Sequence, residues 1–352
     1  MAAGAGLVLT GTFGTDADCA PWDAMKTTAA VLVELGRPLE LADLAVPVLK
    51  PGQVLVEVAY SGVCHTQVGE ARGHRGEDRF LPHGLGHEGS GVVREVGPGV
   101  AKVRPGDRVI LSWIKGSGAD VPGTVYDWNG RKVNAGGITT FATRSVISEN
   151  RLTVVPDGMP LRLAALVGCA VPTGAGVIFN TARPRPGQSV AVFGVGGIGS
   201  CAVAAAALAG CTPVIAVDVN AEKLALARRL GATHAVNSKD CDPVAEVRTL
   251  CPGGAAVVVG NARFGERLEI DPRELNQGKR LLGTWGGDNV PDRDYPRYCK
   301  LMAAGRLDLE PLLSRSYRLA DVNAALDDLE RGCAARPLLD IAGRASAEAR
   351  AA

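Results

Sequence analysis

Hydrophobic and polar positions divide the chain into three regions, and the first is built of short strands. From residue 26 to about 173, apolar runs such as 55–60, 91–96 and 107–111 are separated by Pro-Gly pairs. Runs of this length between turn residues predict strands. We therefore expect a mostly antiparallel β unit, to which the last region, from about 292, adds two helices and a final strand.

The second region, 174–291, alternates strand-like and helix-like segments. A continuously apolar run at 189–193 has the composition of a strand buried on both faces of a sheet. An Ala-rich helix is predicted from 198 to 209, followed by a strand at 214–218 and a helix from 221 to 230. This alternation predicts an α/β unit with a doubly wound parallel sheet.

The predicted parallel sheet is shortened by about one unit. A doubly wound dinucleotide-binding sheet has six strands, whereas we predict five, at 189–194, 214–218, 234–237, 255–260 and 280–286. The stretch 238–255 has room for a single helix, while a full βαβ unit takes about 30 residues. We expect either a sheet that closes up with five strands or a neighbouring strand that fills the place.

Composition and charge narrow the class of protein. Hydrophobic residues are 46% and charged residues 21% of the 352 positions, so a packed core is expected. A formal net charge of +1 without charge blocks gives no sign of a nucleic-acid or membrane partner. Nine cysteines without a C-x-x-C pair favour a reducing, cytoplasmic setting. Residues 1–25 lack the pattern of a secretion signal and are expected to form a flexible arm.

A glycine motif follows the apolar run of the second region. Gly194, Gly196 and Gly199 form the pattern G-x-G-x-x-G, with Gly197 and Ile198 at its variable positions. Between a strand and a helix, this pattern lets the backbone approach the pyrophosphate of a dinucleotide, which then faces the helix N-terminus. The motif therefore predicts a dinucleotide site.

Two residues beyond the motif bear on which dinucleotide binds. Asp218 ends the next predicted strand, where a carboxylate accepts the ribose hydroxyls of NAD and repels the 2′-phosphate of NADP. Lys223, one turn into the following helix, either reaches the adenine ribose or is a solvated helix lysine. The cofactor predicted from this pattern is NAD.

Three residues of the first region form a candidate metal site. Cys64 follows a β run, His87 lies in the sequence Gly-His-Glu-Gly at 86–89, and Cys169 lies near the end of the region. No local spacing links them, and a lone Cys or His is more often structural. Together, two thiolates and an imidazole give zinc three ligands and one open position, a set used for catalytic zinc.

These motifs, in this order, resemble the zinc-dependent medium-chain alcohol dehydrogenases. The resemblance rests on Gly-Val-Cys-His-Thr at 62–66, on 86–89 and on the glycine motif. It implies a GroES-like catalytic domain at 26–173 and 292–346, interrupted by a Rossmann NAD-binding domain at 174–291. It also implies one catalytic zinc and the interconversion of an alcohol and its aldehyde or ketone, by hydride transfer from a zinc-bound alkoxide to NAD.

The resemblance also gives roles to individual residues. Cys64, His87 and Cys169 hold the zinc, Glu88 lies behind it, and Thr66 relays the proton of the alcohol. His65 and Arg336 match positions that contact the pyrophosphate. Positions on the nicotinamide side are matched by Thr173, Val259 and Gly260. Trp113 matches an aromatic residue that either lines the substrate pocket or belongs to the core.

Three features depart from the family pattern. Gln67 stands where the family usually has an Asp oriented toward the zinc-bound histidine. Gly69 stands where many relatives have a proton-relaying His, so the proton of Thr66 is expected to pass to the cofactor ribose or to water. Residues 112–168 contain no cysteine, so we expect no structural zinc and a loop at 115–134 held by packing.

Other functions remain open from the sequence. One is a polyol or sugar dehydrogenase of the same superfamily, although that branch often has Glu as third ligand where this chain has Cys169. Another is a non-catalytic nucleotide-binding relative, which the missing unit motivates. For the first interpretation we expect a small alcohol or aldehyde as substrate and a homodimer or homotetramer, with 281–286 as the pairing edge.

Overall fold

The computed structural model describes residues 25–251, 254–260, 262–313 and 315–343. Residues 1–24 of the predicted arm and the end of the predicted catalytic domain at 344–346 lie outside this described part. The strands are β1 Lys26–Leu32, β2 Glu40–Ala45, β3 Gln53–Gly62, β4 His83–Gly84, β5 Glu88–Val96, β6 Arg108–Ser112, β7 Val125–Trp128, β8 Arg131–Asn134, β9 Arg144–Ser148, β10 Leu152–Val154, β11 Val190–Phe193, β12 Val214–Asp218, β13 His234–Asn237, β14 Ala255–Val258, β15 Arg280–Gly283, β16 Ser316–Arg318 and β17 Leu338–Asp340. The helices are α1 His65–Ala71, α2 Leu161–Ala164, α3 Ala170–Gly176, α4 Gly197–Leu208, α5 Ala221–Arg229, α6 Pro243–Leu250, α7 Pro272–Asn276, α8 Pro291–Ala303 and α9 Val322–Glu330.

The predicted mostly antiparallel unit is confirmed. A closed barrel has the strand order β1-β2-β7-β8-β4, and a second sheet has the order β10-β6-β5-β3-β17-β16, with β9 also paired to β3. Nine of the ten residues of β3 are buried, because its two edges pair with β5 and β9. This central strand runs directly into α1, so the first turn of α1 has a rigid base.

The segment after β6 is held by hydrogen bonds as well as by packing, which corrects the expectation for 115–134. Two of its pieces, β7 and β8, pair as an antiparallel hairpin that belongs to the barrel. Glu149, 3% exposed, accepts N–H groups from Ala101, Lys102 and Ala119 at 2.6, 2.6 and 2.8 Å. Burial alone raises the pKa of Glu149, but these donors and the charge of Lys102 lower it overall.

The five predicted strands of the second region all form, but they do not make one sheet. Strands β11, β12 and β13 pair in parallel, and β14 and β15 pair in parallel separately. Within the described ranges no ladder joins β11 to β14, and β14 packs against residues 177–182 instead. Neither expectation for the shortened region, a closed five-stranded sheet or a strand filling the place, is met there.

Strand β11 shows the consequence of this division. The expectation that the run 189–193 is buried on both faces is wrong, because Val190 to Val192 are only half-buried and Phe193 is 57% exposed. In β12, which pairs on both sides, Val214 to Val217 are at most 2% exposed. In the usual strand order of a doubly wound sheet, the missing strand belongs between β11 and β14.

Apolar helices lie in the interior of the molecule. The helical stretches Leu161–Gly168 and Ala170–Ala182 meet at a 58° bend, and most of their apolar side chains belong to the largest hydrophobic cluster. No single helix among the described residues is long and apolar enough to cross a membrane, and only this bent pair, taken together, meets that test of length and composition.

Candidate active site

Three separate segments bring the predicted metal ligands together. Cys64 precedes α1 as its N-cap, His87 directly precedes β5, and Cys169 lies between a short 3-10 turn and α3. Their ligand atoms all lie within 4.8 Å of one another, and His87 Nε2 is 3.3 Å from Cys169 Sγ. Both thiols are buried, at 5% and 4% exposure. Two sulfurs and one imidazole at this separation fit a zinc ion with three protein ligands.

The surrounding charges favour deprotonation of one of the two thiols. The pKa of Cys64 is lowered well below its usual range, chiefly by a hydrogen bond with Cys169, and also by Arg336 and His87. The pKa of Cys169 is raised well above its usual range by the same hydrogen bond and by burial. A thiolate is the form of cysteine that ligates a metal.

Gln67 occupies the orienting position behind His87. Its amide oxygen accepts the N–H of Cys64 at 3.0 Å, and its amide nitrogen lies 2.5 Å from His87 Nδ1. The side chain is 1% exposed. A neutral amide therefore links two of the three ligands and fixes the orientation of the imidazole.

A buried ion pair lies behind the same ligands. Glu88 and Arg336, 0% and 2% exposed, form a salt bridge, and Glu88 also accepts the N–H of Ala170 at 3.2 Å. Burial raises the pKa of Glu88, and the Arg336 charge opposes this rise. Arg336, predicted to contact pyrophosphate, also lies against Gly197, and its Nε has no hydrogen-bond partner. This arginine connects the metal side with the glycine motif.

The glycine motif has the backbone that the sequence predicts. Gly194 follows β11 with φ of +83°, which permits the tight turn into α4. A Cβ at Gly196 meets no atom within 4 Å, so a ligand can approach this backbone, whereas a Cβ at Gly199 would overlap the carbonyl of Gly194. Gly197 and Ile198 form the first turn of α4. The open surface at Gly196 fits a pyrophosphate group.

Asp218 is fixed at the end of β12, beside the glycine motif. Its two carboxylate oxygens accept the N–H groups of Val195 and Asn220, each at 2.9 Å. Asn220 caps α5 and thereby sets the position of Lys223, whose Nζ faces Gly332. The carboxylate is held in a fixed orientation, with free lone pairs remaining on both oxygens.

Basic side chains gather on this same side of the molecule. Burial is the main cause that lowers the pKa of His65, the charge of Cys64 opposes it, and the charges of Lys223 and Arg336 lower it further. An anionic ligand beside these groups would be attracted by Lys223. The arrangement fits the phosphates of a dinucleotide.

One cavity of about 890 Å³ connects the metal ligands with the nucleotide side. Its wall includes Thr66, Thr173, Ile198 and Gly260, and Val259 lies next to it, 36% exposed. The hydroxyl of Thr173 is buried without a hydrogen-bond partner. A cofactor amide in this part of the cavity would supply that partner.

An aromatic corner forms another wall of the cavity. Trp113, predicted either to line a pocket or to belong to the core, lines the cavity and meets Trp285 edge to face, with ring centroids 5.2 Å apart. Trp285 follows β15 and is 70% exposed, and the sequence patterns did not single it out. Its place could not be read from a strand pattern, because the contact joins residues far apart in the chain.

A charged end of the cavity was also missed. It includes Glu70, Arg75, Asp78 and His83. The side chain of Glu70 bonds to Arg75 at 2.8 Å, and that of Asp78 lies 2.7 Å from His83. The observed helix α1 places Glu70 four positions after Thr66, on the same face.

Family comparisons cover both parts of the molecule. The model of the family described as "Alcohol dehydrogenase GroES-like domain" matches residues 50–157, and that described as "Zinc-binding dehydrogenase" matches residues 197–262. The first range contains Cys64 and His87, and the second begins within the glycine motif. The two matches thus fall on the two sides of the cavity.

Similar proteins match over most of their length. The chain is 32% identical to S-(hydroxymethyl)glutathione dehydrogenase of Synechocystis and 33% identical to that of Escherichia coli O1:K1, over 90% of this chain and 100% of each relative. The alcohol dehydrogenase zinc-binding domain protein of Burkholderia ambifaria and the benzyl alcohol dehydrogenase of Acinetobacter calcoaceticus have similar structures. Both give a TM-score of 0.82, at 31% and 29% identity, over 90% of this chain and 99% of theirs.

The predicted fold class, a Rossmann-type parallel unit joined to a GroES-like β unit, is confirmed. Sequence, architecture and the grouped cysteine and histidine ligands all lead to the same family. The chain belongs to the zinc-dependent medium-chain dehydrogenase family, in its alcohol dehydrogenase branch.

Proposed function

We propose that this protein is an NAD-dependent alcohol dehydrogenase that interconverts an alcohol and its aldehyde or ketone. One observation carries the proposal: the ligands Cys64, His87 and Cys169 and the start of the glycine-motif helix at Ile198 open into the same cavity. A substrate oxygen near the ligands therefore lies within reach of a nicotinamide placed by the motif. Proximity of this kind is what hydride transfer requires.

Different side chains of the cavity have different roles in this reaction. When bound by Cys64, His87 and Cys169, zinc would supply a Lewis acid for the alcohol oxygen. The hydroxyl of Thr66, 3.8 Å from Cys64 Sγ, is placed to take the proton that the alcohol loses. Thr173 lies where its unpartnered hydroxyl would orient the nicotinamide.

The preference for NAD over NADP rests on Asp218. Its carboxylate is fixed by two backbone N–H groups, so it cannot turn away from an incoming ribose without losing both. A 2′-phosphate beside this anion is repelled, while ribose hydroxyls can donate to it. Lys223 supplies positive charge for the pyrophosphate, and His65 and Arg336 would supply hydrogen-bond donors.

The aromatic corner favours an alcohol with an apolar body. Trp113 and Trp285 give the cavity a broad apolar wall near the metal ligands. The similar structure from Acinetobacter is a benzyl alcohol dehydrogenase, and the similar sequences are S-(hydroxymethyl)glutathione dehydrogenases. We therefore include both substrates among those to test.

The direct test measures zinc and activity on one purified sample. We expect close to one zinc per chain, and NADH formation with at least one member of a panel of aliphatic alcohols, benzyl alcohol and S-(hydroxymethyl)glutathione. NADP should be the poorer acceptor. A sample that holds no zinc and reduces NAD with no alcohol contradicts the proposal, and NADH binding without turnover on zinc-loaded protein favours a non-catalytic role.

Assembly and location belong to the same proposal. We propose a cytoplasmic homodimer or homotetramer that acts on small molecules, without a nucleic-acid or membrane partner. Light scattering coupled to size-exclusion chromatography distinguishes these assemblies from a monomer. A monomer at the concentration of the activity assay contradicts this part of the proposal and leaves the chemistry untouched.

A further inference from the structure

Helix α1 directs two side chains into the cavity from one face. Thr66 and Glu70 are four positions apart, and both line the cavity. Residues at this spacing are neighbours on a helix surface, with Cβ atoms about 5–6 Å apart. Gly69 lies between them without a side chain, and a Cβ there would meet only Arg75, at 3.9 Å. A side chain at position 69 would therefore have room beside Thr66 and Glu70.

The surroundings of Glu70 suit a group that gains and loses a proton. Its side chain is 24% exposed and bonds to Arg75, which is itself 43% exposed. Burial raises the pKa of Glu70 above its ordinary value, while the charges of Arg75, His87 and His83 pull it down. A carboxyl group with a raised pKa is a better proton acceptor near neutral pH.

Other carboxylates of the cavity are less well placed. Asp78 is engaged by His83 and by the N–H of Phe80, at 2.7 and 2.8 Å. Glu77 also lines the cavity, but it lies beyond the end of α1 and does not share the face of Thr66. Of the carboxylates lining the described cavity, Glu70 is the one that combines the helix face of Thr66 with partial burial.

We infer that Glu70 is the terminal acceptor of the proton that the alcohol loses, reached from the hydroxyl of Thr66 through one water molecule. This inference rests on the proposed function. During oxidation, the C–H bond breaks and its electron pair passes with the hydrogen to NAD, which becomes NADH. The O–H bond of the alcohol also breaks, and its proton goes to Thr66 while Thr66 gives its own proton to the water, which protonates Glu70.

The proton must finally leave Glu70 before the next reaction. The alcohol has become a carbonyl compound, and protonated Glu70 releases its proton to solvent near the exposed side chain of Arg75. In the reverse direction, Glu70 supplies the proton that the new alcohol requires. A carboxylate on α1 thereby does the work that a histidine at position 69 does in many relatives.

The variant Glu70→Gln tests this role with little change of shape, because the amide oxygen can still accept from Arg75. We expect kcat for alcohol oxidation at neutral pH to fall about 100-fold, a typical loss for a proton-transfer group. The loss of activity at low pH that reflects protonation of Glu70 should disappear from the pH profile of kcat. Glu95→Gln, an exposed glutamate on β5, is the matched control and should behave as the parent.

A second variant separates proton transfer from damage to the fold. Adding Gly69→His to Glu70→Gln places an imidazole in the open space beside Thr66 and should restore kcat at least ~10-fold. Zinc content and the unfolding midpoint should be the same in all variants. An active parent whose Glu70→Gln variant has unchanged kcat and pH profile overturns the role of Glu70 alone. A parent that oxidises no alcohol overturns this inference together with the proposed function.

Discussion

Two segments of this chain depart from the expected family pattern, and their structures differ in how far they are stabilised. The segment after β6 has no cysteines between 112 and 168, yet it forms the β7–β8 hairpin and is bound by the buried carboxylate of Glu149. In the Rossmann-type part, the shortening between β13 and β14 leaves a three-stranded and a two-stranded sheet without a ladder between them in the described residues.

The difference shows that a departure from the family pattern has different consequences in a loop and in the middle of a sheet. A loop at the edge of a barrel can be stabilised by new local hydrogen bonds, since only its own backbone groups need partners. A strand in the middle of a parallel sheet serves two neighbours, and its loss leaves two open edges. On β11, which pairs on one side only in the described residues, Phe193 is 57% exposed.

The largest effect is expected from removing a metal ligand, which tests whether the metal site functions although the parallel sheet is divided. Cys169→Ser removes one sulfur ligand, and we expect zinc content to fall sharply and kcat/KM to fall more than ~100-fold, beyond the loss typical of outer-shell changes. NADH binding, followed by fluorescence, should persist. Cys241→Ser is the matched control, because Cys241 is exposed and far from the ligands in sequence. Equal activity of the two variants contradicts the assignment of Cys169.

The next effect measures how strongly Glu149 stabilises its segment. Glu149→Ala should lower the free energy of unfolding by about 3 kcal/mol, because three backbone N–H groups lose a charged acceptor. Chemical denaturation checks this against Glu95→Ala. Since the pKa of Glu149 is lowered in the folded protein, its contribution is present above the ordinary glutamate pKa and is lost as pH falls through the folded value. A difference between variant and parent that does not shrink in acid contradicts this account.

A smaller effect is expected at Asp218, beside the glycine motif. Asp218→Asn removes the charge but keeps an acceptor for one of the two N–H groups. The ratio of kcat/KM for NAD to that for NADP should fall about tenfold, which corresponds to ~1.4 kcal/mol. Steady-state kinetics with each cofactor gives the ratio. An unchanged ratio means that Asp218 does not meet the ribose, and it would locate the defect of the divided sheet at this point.

The smallest effect tests whether the edge of β11 is open in solution. Phe193→Thr replaces a side chain that is 57% exposed and should change the free energy of unfolding by less than ~0.5 kcal/mol. Val217→Thr on β12, where the side chain is 2% exposed, should cost about 1–3 kcal/mol. Equal costs would show that the edge of β11 is covered by another segment or chain.

The sequence was most informative where a pattern is local. Strand β12 has the predicted bounds 214–218, and α4 begins and ends one residue before the predicted 198–209. The burial of β12 on both faces and the glycine motif at the start of α4 each depend on a few consecutive residues, so the sequence shows them directly. The predicted burial of 189–193 was wrong, because an apolar run records that a strand is suited to burial and not whether a neighbour is present to cover it.

The candidate site depended on contacts that no spacing encodes. Cys64, His87 and Cys169 are brought together by β3, β5 and α3, and only the family resemblance linked them in the sequence. Trp285 joins Trp113 across the cavity for the same nonlocal reason. Glu70 was missed as well, because no helix was predicted over 65–71 and its spacing from Thr66 therefore carried no meaning in the sequence.

The parallel direction of β14 and β15 limits how a chain of this fold can become shorter during evolution. Each strand of a parallel sheet is entered from the same end, so every strand must be followed by a return segment. Removal of a strand without its return helix would reverse the polarity of everything downstream. Viable shortened relatives should therefore lose a strand and a helix of the sheet together.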